Sequence, residues 1–194
     1  MRPGKTISHL ERRIVEICSP TLAGLKTGSL FSIRGLSKEV LLSEVRDLNR
    51  RFRSSGLLLL PLKRTEDLAL LYLYRPKALR SDLMRPQSFR ILQDFGYRST
   101  DMTQSLLTLC RRLQEESAFP HEIGLFLGYP PKDVEGFIRD PDCPLRSSCK
   151  GCWKVYSDPE GARRIFRRYR KCTACYLKRI QEGSTLEQLI VSGL

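Results

Sequence analysis

Two apolar runs, Leu57–Leu62 and Leu68–Tyr74, flank the polar stretch Lys63-Arg64-Thr65-Glu66-Asp67. Runs of this length, bounded by charged residues, read as strands rather than helices. The short polar link between them predicts an antiparallel hairpin at the centre of a sheet. Ahead of it, Leu30 to Ile33 suits a further strand, entered from a loop that contains Gly24 and Gly28. A chain that must carry this hairpin is constrained to a sheet-containing fold, and the remaining segments read as its helical cover.

Leu10, Ile14 and Ile17 recur at helical spacing, which predicts a helix over 7–17 that ends at Ser19-Pro20 and leaves Cys18 at its exit. Ser37 suits the N-cap of a helix bearing Val40, Leu41, Val45, Leu48 and Phe52, stopped by Gly56. From Pro76 to Asp140 the pattern is helical only, over 77–84, 86–95, 102–116, 120–128 and 131–139, with breaks at Pro86, Gly96-Tyr97 and Pro130-Pro131. A short strand is expected at Trp153–Tyr156, then a long helix over 159–181. A last helix is expected from Ser184, where Glu187 three residues on completes a capping box. These expectations amount to an α+β fold: a small, mostly antiparallel sheet packed by several helices, with a helix-rich second half. We read residues 1–194 as one domain, with 141–183 as a cysteine-bearing unit docked on it.

The longest apolar run is broken by Pro61 and soon meets Lys63, far short of the roughly 20 apolar residues of a membrane span. Met1 to Arg13 lacks the apolar stretch of a secretory signal, so the expected compartment is a reducing cytoplasm. The formal charge of +13 is uneven: 11 basic and 5 acidic residues fall in 1–56, 12 and 11 in 57–140, and 11 and 5 in 141–194. Basic ends around a neutral middle favour a polyanionic partner such as nucleic acid. A dispersed basic surface with no dedicated partner fits the same count.

Seven cysteines include Cys149-x2-Cys152 and, after 19 residues, Cys172-x2-Cys175. Two such pairs have the spacing of a tetrahedral four-thiolate site, suited to zinc and less often to an iron-sulfur cluster. Gly151 would permit the turn of the first pair, and Cys143 is a substitute ligand. On the helix 159–181, Ala162, Ile165, Phe166, Tyr169, Thr173, Tyr176, Leu177 and Ile180 form one apolar stripe, with Cys172 at its edge and Cys175 farther round. Packing as small buried side chains is the competing account of these two thiols. The rest of the helix carries eight cations within 17 residues. Arg163, Arg164, Arg167, Arg168 and Lys171 are the candidate anion-binding residues.

Two other functions fit the residue types. Cys18 with His121 and Glu122 supplies the nucleophile, base and orienting group of a thiol-dependent enzyme. Residues 122–134 have the spacing of a helix-turn-helix, which would make the chain a DNA- or RNA-binding regulator. Its second helix would then expose Lys132, Asp133, Glu135, Arg139 and Asp140, a charge of the wrong sign for a phosphate-lined groove. Lys26-Thr27-Gly28-Ser29 lacks the order and glycine spacing of a P-loop.

Four stretches carry a family likeness: FPHEIGLFLGYPPKDVEGFI at 119–138, CSPTLAGLKTGSLF at 18–31, Tyr74-Arg75-Pro76, and GCWKVYSDPEGA at 151–162 with YRKCT at 169–173. Through them the chain resembles a family of uncharacterised bacterial proteins, domain of unknown function 3793. The resemblance spans nearly the whole chain and implies no particular reaction, cofactor or substrate. Cys18, His121, Cys152 and Cys172 lie within the matching stretches, whereas Cys143, Cys149 and Cys175 lie outside them.

Overall fold

The computed structural model describes residues 7–99, 101–115, 118–141 and 151–192. The chain clusters into two compact units, Met1–Lys77 with Tyr169–Leu194, and Ala78–Arg168. The first holds the sheet and the second is helical, so the chain is α+β with a helix-rich second half.

In the sheet unit, β1 (Gly28–Arg34), β2 (Leu58–Arg64) and β3 (Leu68–Tyr74) pair antiparallel in the order β1-β3-β2. The expected hairpin is therefore present, and its second strand is central. Leu71 lies opposite Phe31 and Pro61, and Leu73 opposite Ser29 and Leu59. The two-residue side-chain period puts Ala69, Leu71 and Leu73 on one face together with Phe31, Ile33 and Leu59. Against that face pack α1 (His9–Leu22) and α2 (Lys38–Phe52), through Leu10, Ile14 and Leu22 and through Leu41, Leu48 and Phe52. Each such side chain taken fully from water stabilises the fold by about 1.5–3 kcal/mol. On the opposite face Tyr72 and Tyr74 stack 4.8 Å apart and are buried. The β2 edge is blunted: the Asn49 amide accepts from Leu59 N at 2.8 Å and donates to Leu59 O at 2.9 Å, Pro61 has no N–H, and the register shifts between Pro61 and Lys63.

Two arginines fasten this unit. Arg75 is buried, and its guanidinium donates to Thr21 O at 2.8 Å, Leu22 O at 2.7 Å and Val191 O at 2.8 Å. It thereby adds donors to the carbonyls at the end of α1, where a cation is also favoured by the helix dipole. Arg51 joins Glu11, Asp47 and Glu187, tying α1, α2 and the carboxyl-terminal 3-10 turn Glu187–Leu189 together.

The helical unit contains most of α3 (Pro76–Leu83), then α4 (Pro86–Asp94), α5 (Met102–Glu115), α6 (Ile123–Phe126) and α7 (Pro131–Arg139). It also holds the start of α8 (Pro159–Gln181), which ends within the sheet unit. Its internal anchor is Glu122, wholly buried, whose Oε1 accepts from Arg112 Nε at 2.7 Å and Tyr97 OH at 3.0 Å. Arg112 also lies 5.2 Å from the centre of the Phe95 ring. One ion pair thus fixes α5, the Phe95–Tyr97 turn and the start of α6.

Four sequence expectations are corrected. The first helix does not stop at Pro20 but runs to Leu22. A proline in the last turn removes only its own N–H bond, and the helix ends instead where Gly24 turns left-handed at φ 71°, with Leu25 N bonded to Pro20 O and Gly24 N to Thr21 O. Cys18 consequently lies inside the helix, not at its exit. No strand forms at 153–156 beyond one bridge residue, Lys154, because Tyr156 N is bonded to the Asp133 carboxylate. The helix expected from Ser184 is the single 3-10 turn, since Glu187 binds Arg51 and Thr185 N takes the Gln188 side chain. Finally, the helix expected over 120–128 is only four residues long, Ile123–Phe126.

Candidate functional site

The helical unit carries a cavity of about 630 Å³ that is open to solvent on one side. Its walls come from Phe119 and His121 ahead of α6, Ile123 and Leu127 at α6, Tyr129 in the α6–α7 turn, Val134 and Phe137 on α7, and Trp153 with Lys154 from the segment before α8. The size lies within the range of small-molecule sites, and the lining is mostly apolar with a few polar groups.

One wall is held with unusual rigidity. The Trp153 ring lies between Tyr129, stacked at 4.8 Å, and Phe166, edge-on at 4.5 Å. Its Nε1 donates to Asp133 Oδ2 at 2.8 Å, while Asp133 Oδ1 accepts from Tyr156 N, Ser157 N and Ser157 Oγ, each at 2.8 Å. Four donors fill a carboxylate that is only 2% exposed, so Asp133 is a structural clamp between α7 and the 153–157 segment. Gly151 serves the same wall: a Cβ there would lie 2.3 Å from the Phe166 ring. Its glycine is required by close approach rather than by the metal-knuckle turn expected of it. Tyr129 OH donates to Cys152 O at 2.9 Å and completes the bracing.

Two further residues of the lining, His121 and Lys154, are polar. His121 meets the Phe137 ring edge-on at 4.9 Å, and Lys154 Nζ lies 5.3 Å from the centre of the same ring while donating to Pro141 O. Neither His121 nor Lys154 has a carboxylate partner among the described residues.

The residues singled out from the sequence are placed as follows. Cys18 is fully buried in the core of the sheet unit, where burial pushes its thiol up to about 12, against a smaller opposing pull from Lys26 and a Ser29 hydrogen bond. A thiol held protonated at neutral pH is a poor nucleophile. His121 belongs to the helical unit. Of the expected metal ligands, Cys149 lies outside the described residues, as does Cys143. Cys152 is exposed in the helical unit; Cys172, half-buried, and Cys175, exposed, belong to the sheet unit. Burial pushes Cys172 up to about 11, with Cys175 adding to the rise. Among the described residues no group of three or more His, Cys, Asp or Glu side chains is arranged to hold a metal ion. Arg163, Arg164, Arg167, Arg168 and Lys171 are all exposed on α8, and among the described residues Arg164 alone of the five has an ion pair, 4.0 Å from Glu160. Asp133 is not among the exposed charges of α7, contrary to expectation.

Sequence reasoning passed over Tyr129, Phe137, Trp153 and Lys154. Their signal was the aromatic content of the two stretches 119–138 and 151–162, which meet at this cavity.

These features define a small α+β protein whose helical unit carries an aromatic-walled cavity that is also lined by His121 and Lys154. Residues 14–190 match the family described as Protein of unknown function (DUF3793), and the chain belongs to that family. No curated protein and no solved structure matches the chain. No described helix is long and apolar enough to cross a membrane.

Proposed function

We propose that the protein is a non-enzymatic binder of a small, largely apolar organic molecule, held in the cavity of the helical unit. The observation that supports this most directly is the braced Trp153 wall: an indole in the cavity lining that is fixed by two rings and a buried carboxylate has little left to order when a ligand arrives. Trp153 is the sole tryptophan of the chain, so its fluorescence reports on the cavity alone. Titration with a neutral compound, 4-butylbenzamide, should change its emission saturably. Leu127→Phe, which reduces the space, should weaken that binding at least tenfold, whereas Leu58→Phe on the exposed face of the sheet unit should not. A titration that never saturates, with the protein folded, sinks the reading.

A second reading rests on α8. Its outward cations Arg163, Arg167, Arg168, Arg170 and Lys171 are exposed and have no ion pair among the described residues. They suit an anionic partner of the phosphate-backbone kind. Binding to a DNA or RNA duplex should then fall steeply with salt, and Arg167→Ala with Arg168→Ala should reduce the slope of log affinity against log salt by about 1–2. An unchanged slope would count against it.

A further inference from the structure

Building on the cavity reading, we infer that the ligand is an apolar organic acid: its hydrocarbon or aromatic body lies along Trp153, Tyr129, Leu127 and Val134, and its carboxylate is held at the Phe137 end by Lys154 and His121.

The charge distribution carries this. Lys154 Nζ spends one donor on Pro141 O and rests over the Phe137 ring, 5.3 Å from its centre. An ammonium has three donors, which leaves two uncommitted among the described residues. Half-burial against an aromatic face removes water from the ammonium, and no described carboxylate supplies a counter-charge, a situation that favours an incoming anion. His121 packs on the same ring, 4.9 Å away, and neither ring nitrogen has a described partner. Both groups therefore contact the same ring, Phe137, in the lining of the cavity. Asp133, the one carboxylate among the described lining residues, does not oppose this, because four donors already surround it and it is only 2% exposed. The other walls offer Ile123, Leu127, Val134 and aromatic faces, so a fully polar anion such as inorganic phosphate would leave most of the cavity unfilled.

The test compares 4-butylbenzoate with the neutral, nearly isosteric 4-butylbenzamide, read by Trp153 emission on the full chain at neutral pH. The benzoate should bind about tenfold or more tightly, the scale of a hydrogen bond between charged groups. Lys154→Met keeps the stem over Phe137 but removes the charge. It should leave the benzamide affinity within about twofold while erasing most of the benzoate's advantage. Equal affinities in the wild-type protein overturn the inference and leave the cavity reading standing, as does an advantage that survives in Lys154→Met. If neither compound binds, both readings fail. Should Lys154→Met not fold, the wild-type comparison and His121→Gln, which should cost the benzoate at least threefold and the benzamide nothing, decide the matter.

Discussion

Replacing Asp133 with asparagine keeps the shape of the side chain but removes its charge and turns one acceptor into a donor. In the wild-type protein Oδ1 accepts three hydrogen bonds and Oδ2 accepts one, from the Trp153 indole. The least damaging orientation of the new amide keeps the three bonds to Oδ1 and sets its N–H₂ against the indole N–H. One charge-assisted bond is lost, worth about 1.5–3 kcal/mol, and three are weakened towards the neutral range of about 0.5–1.5 kcal/mol each. Relief from desolvating a carboxylate offsets part of this. The expected net loss is about 2–4 kcal/mol, and Ser157→Ala, which removes a single donor, should cost about 1 kcal/mol. Urea unfolding followed by Trp153 emission measures both, and a loss of this size lowers the midpoint by roughly 1–3 M. The freed indole should also weaken ligand binding, since the wall is no longer fixed. Asp133→Asn within about 0.5 kcal/mol of wild type, with unchanged Trp153 emission, would refute the clamp and the rigidity argument built on it.

Arg75→Met removes three hydrogen bonds to buried or half-buried carbonyls and should destabilise the sheet unit by about 2–4 kcal/mol in thermal or urea unfolding, with Arg75→Lys recovering only part because a point charge cannot match the planar fork. Arg112→Ala leaves the buried Glu122 carboxylate without its cation and should cost about 3–5 kcal/mol, measured the same way. Iodoacetamide at about pH 7.5 should label Cys152 and Cys175 in the native protein and Cys18 only after unfolding; equal labelling of Cys18 would contradict its burial. The Cys18 thiol is raised from its ordinary 9.0 to about 12, so its contribution to stability is complete below about pH 9 and is lost as pH climbs towards 12. Urea midpoints at about pH 8, 9 and 10 should fall accordingly, and less so in Cys18→Ala, with Cys172 adding to the same trend.

Much of the backbone was legible because local rules decide it. The polar link between two apolar runs specified the hairpin, Ser37 accepts from Val40 N at 3.3 Å as an N-cap should, and the stripe on α8 is the buried and half-buried side of that helix. Expectations failed where a partner distant in sequence outbid a local preference. Glu187 pairs with Arg51 instead of capping its own turn, and Tyr156 N turns to Asp133 instead of a neighbouring strand. Ser8 and Glu11 form the capping box that starts α1, a pattern written plainly in the sequence and passed over.

By itself the sequence determined the antiparallel hairpin, the helical second half and the amphipathic character of α8, because periodicity and caps act between residues a few positions apart. The tertiary structure alone decided that Asp133 faces inward, that Cys18 is buried in the core of the sheet unit, and that aromatic residues from 119–138 and 151–162 line one cavity. Those outcomes depend on which surfaces are withdrawn from water together, and desolvation is a property of the packed molecule that no single segment carries.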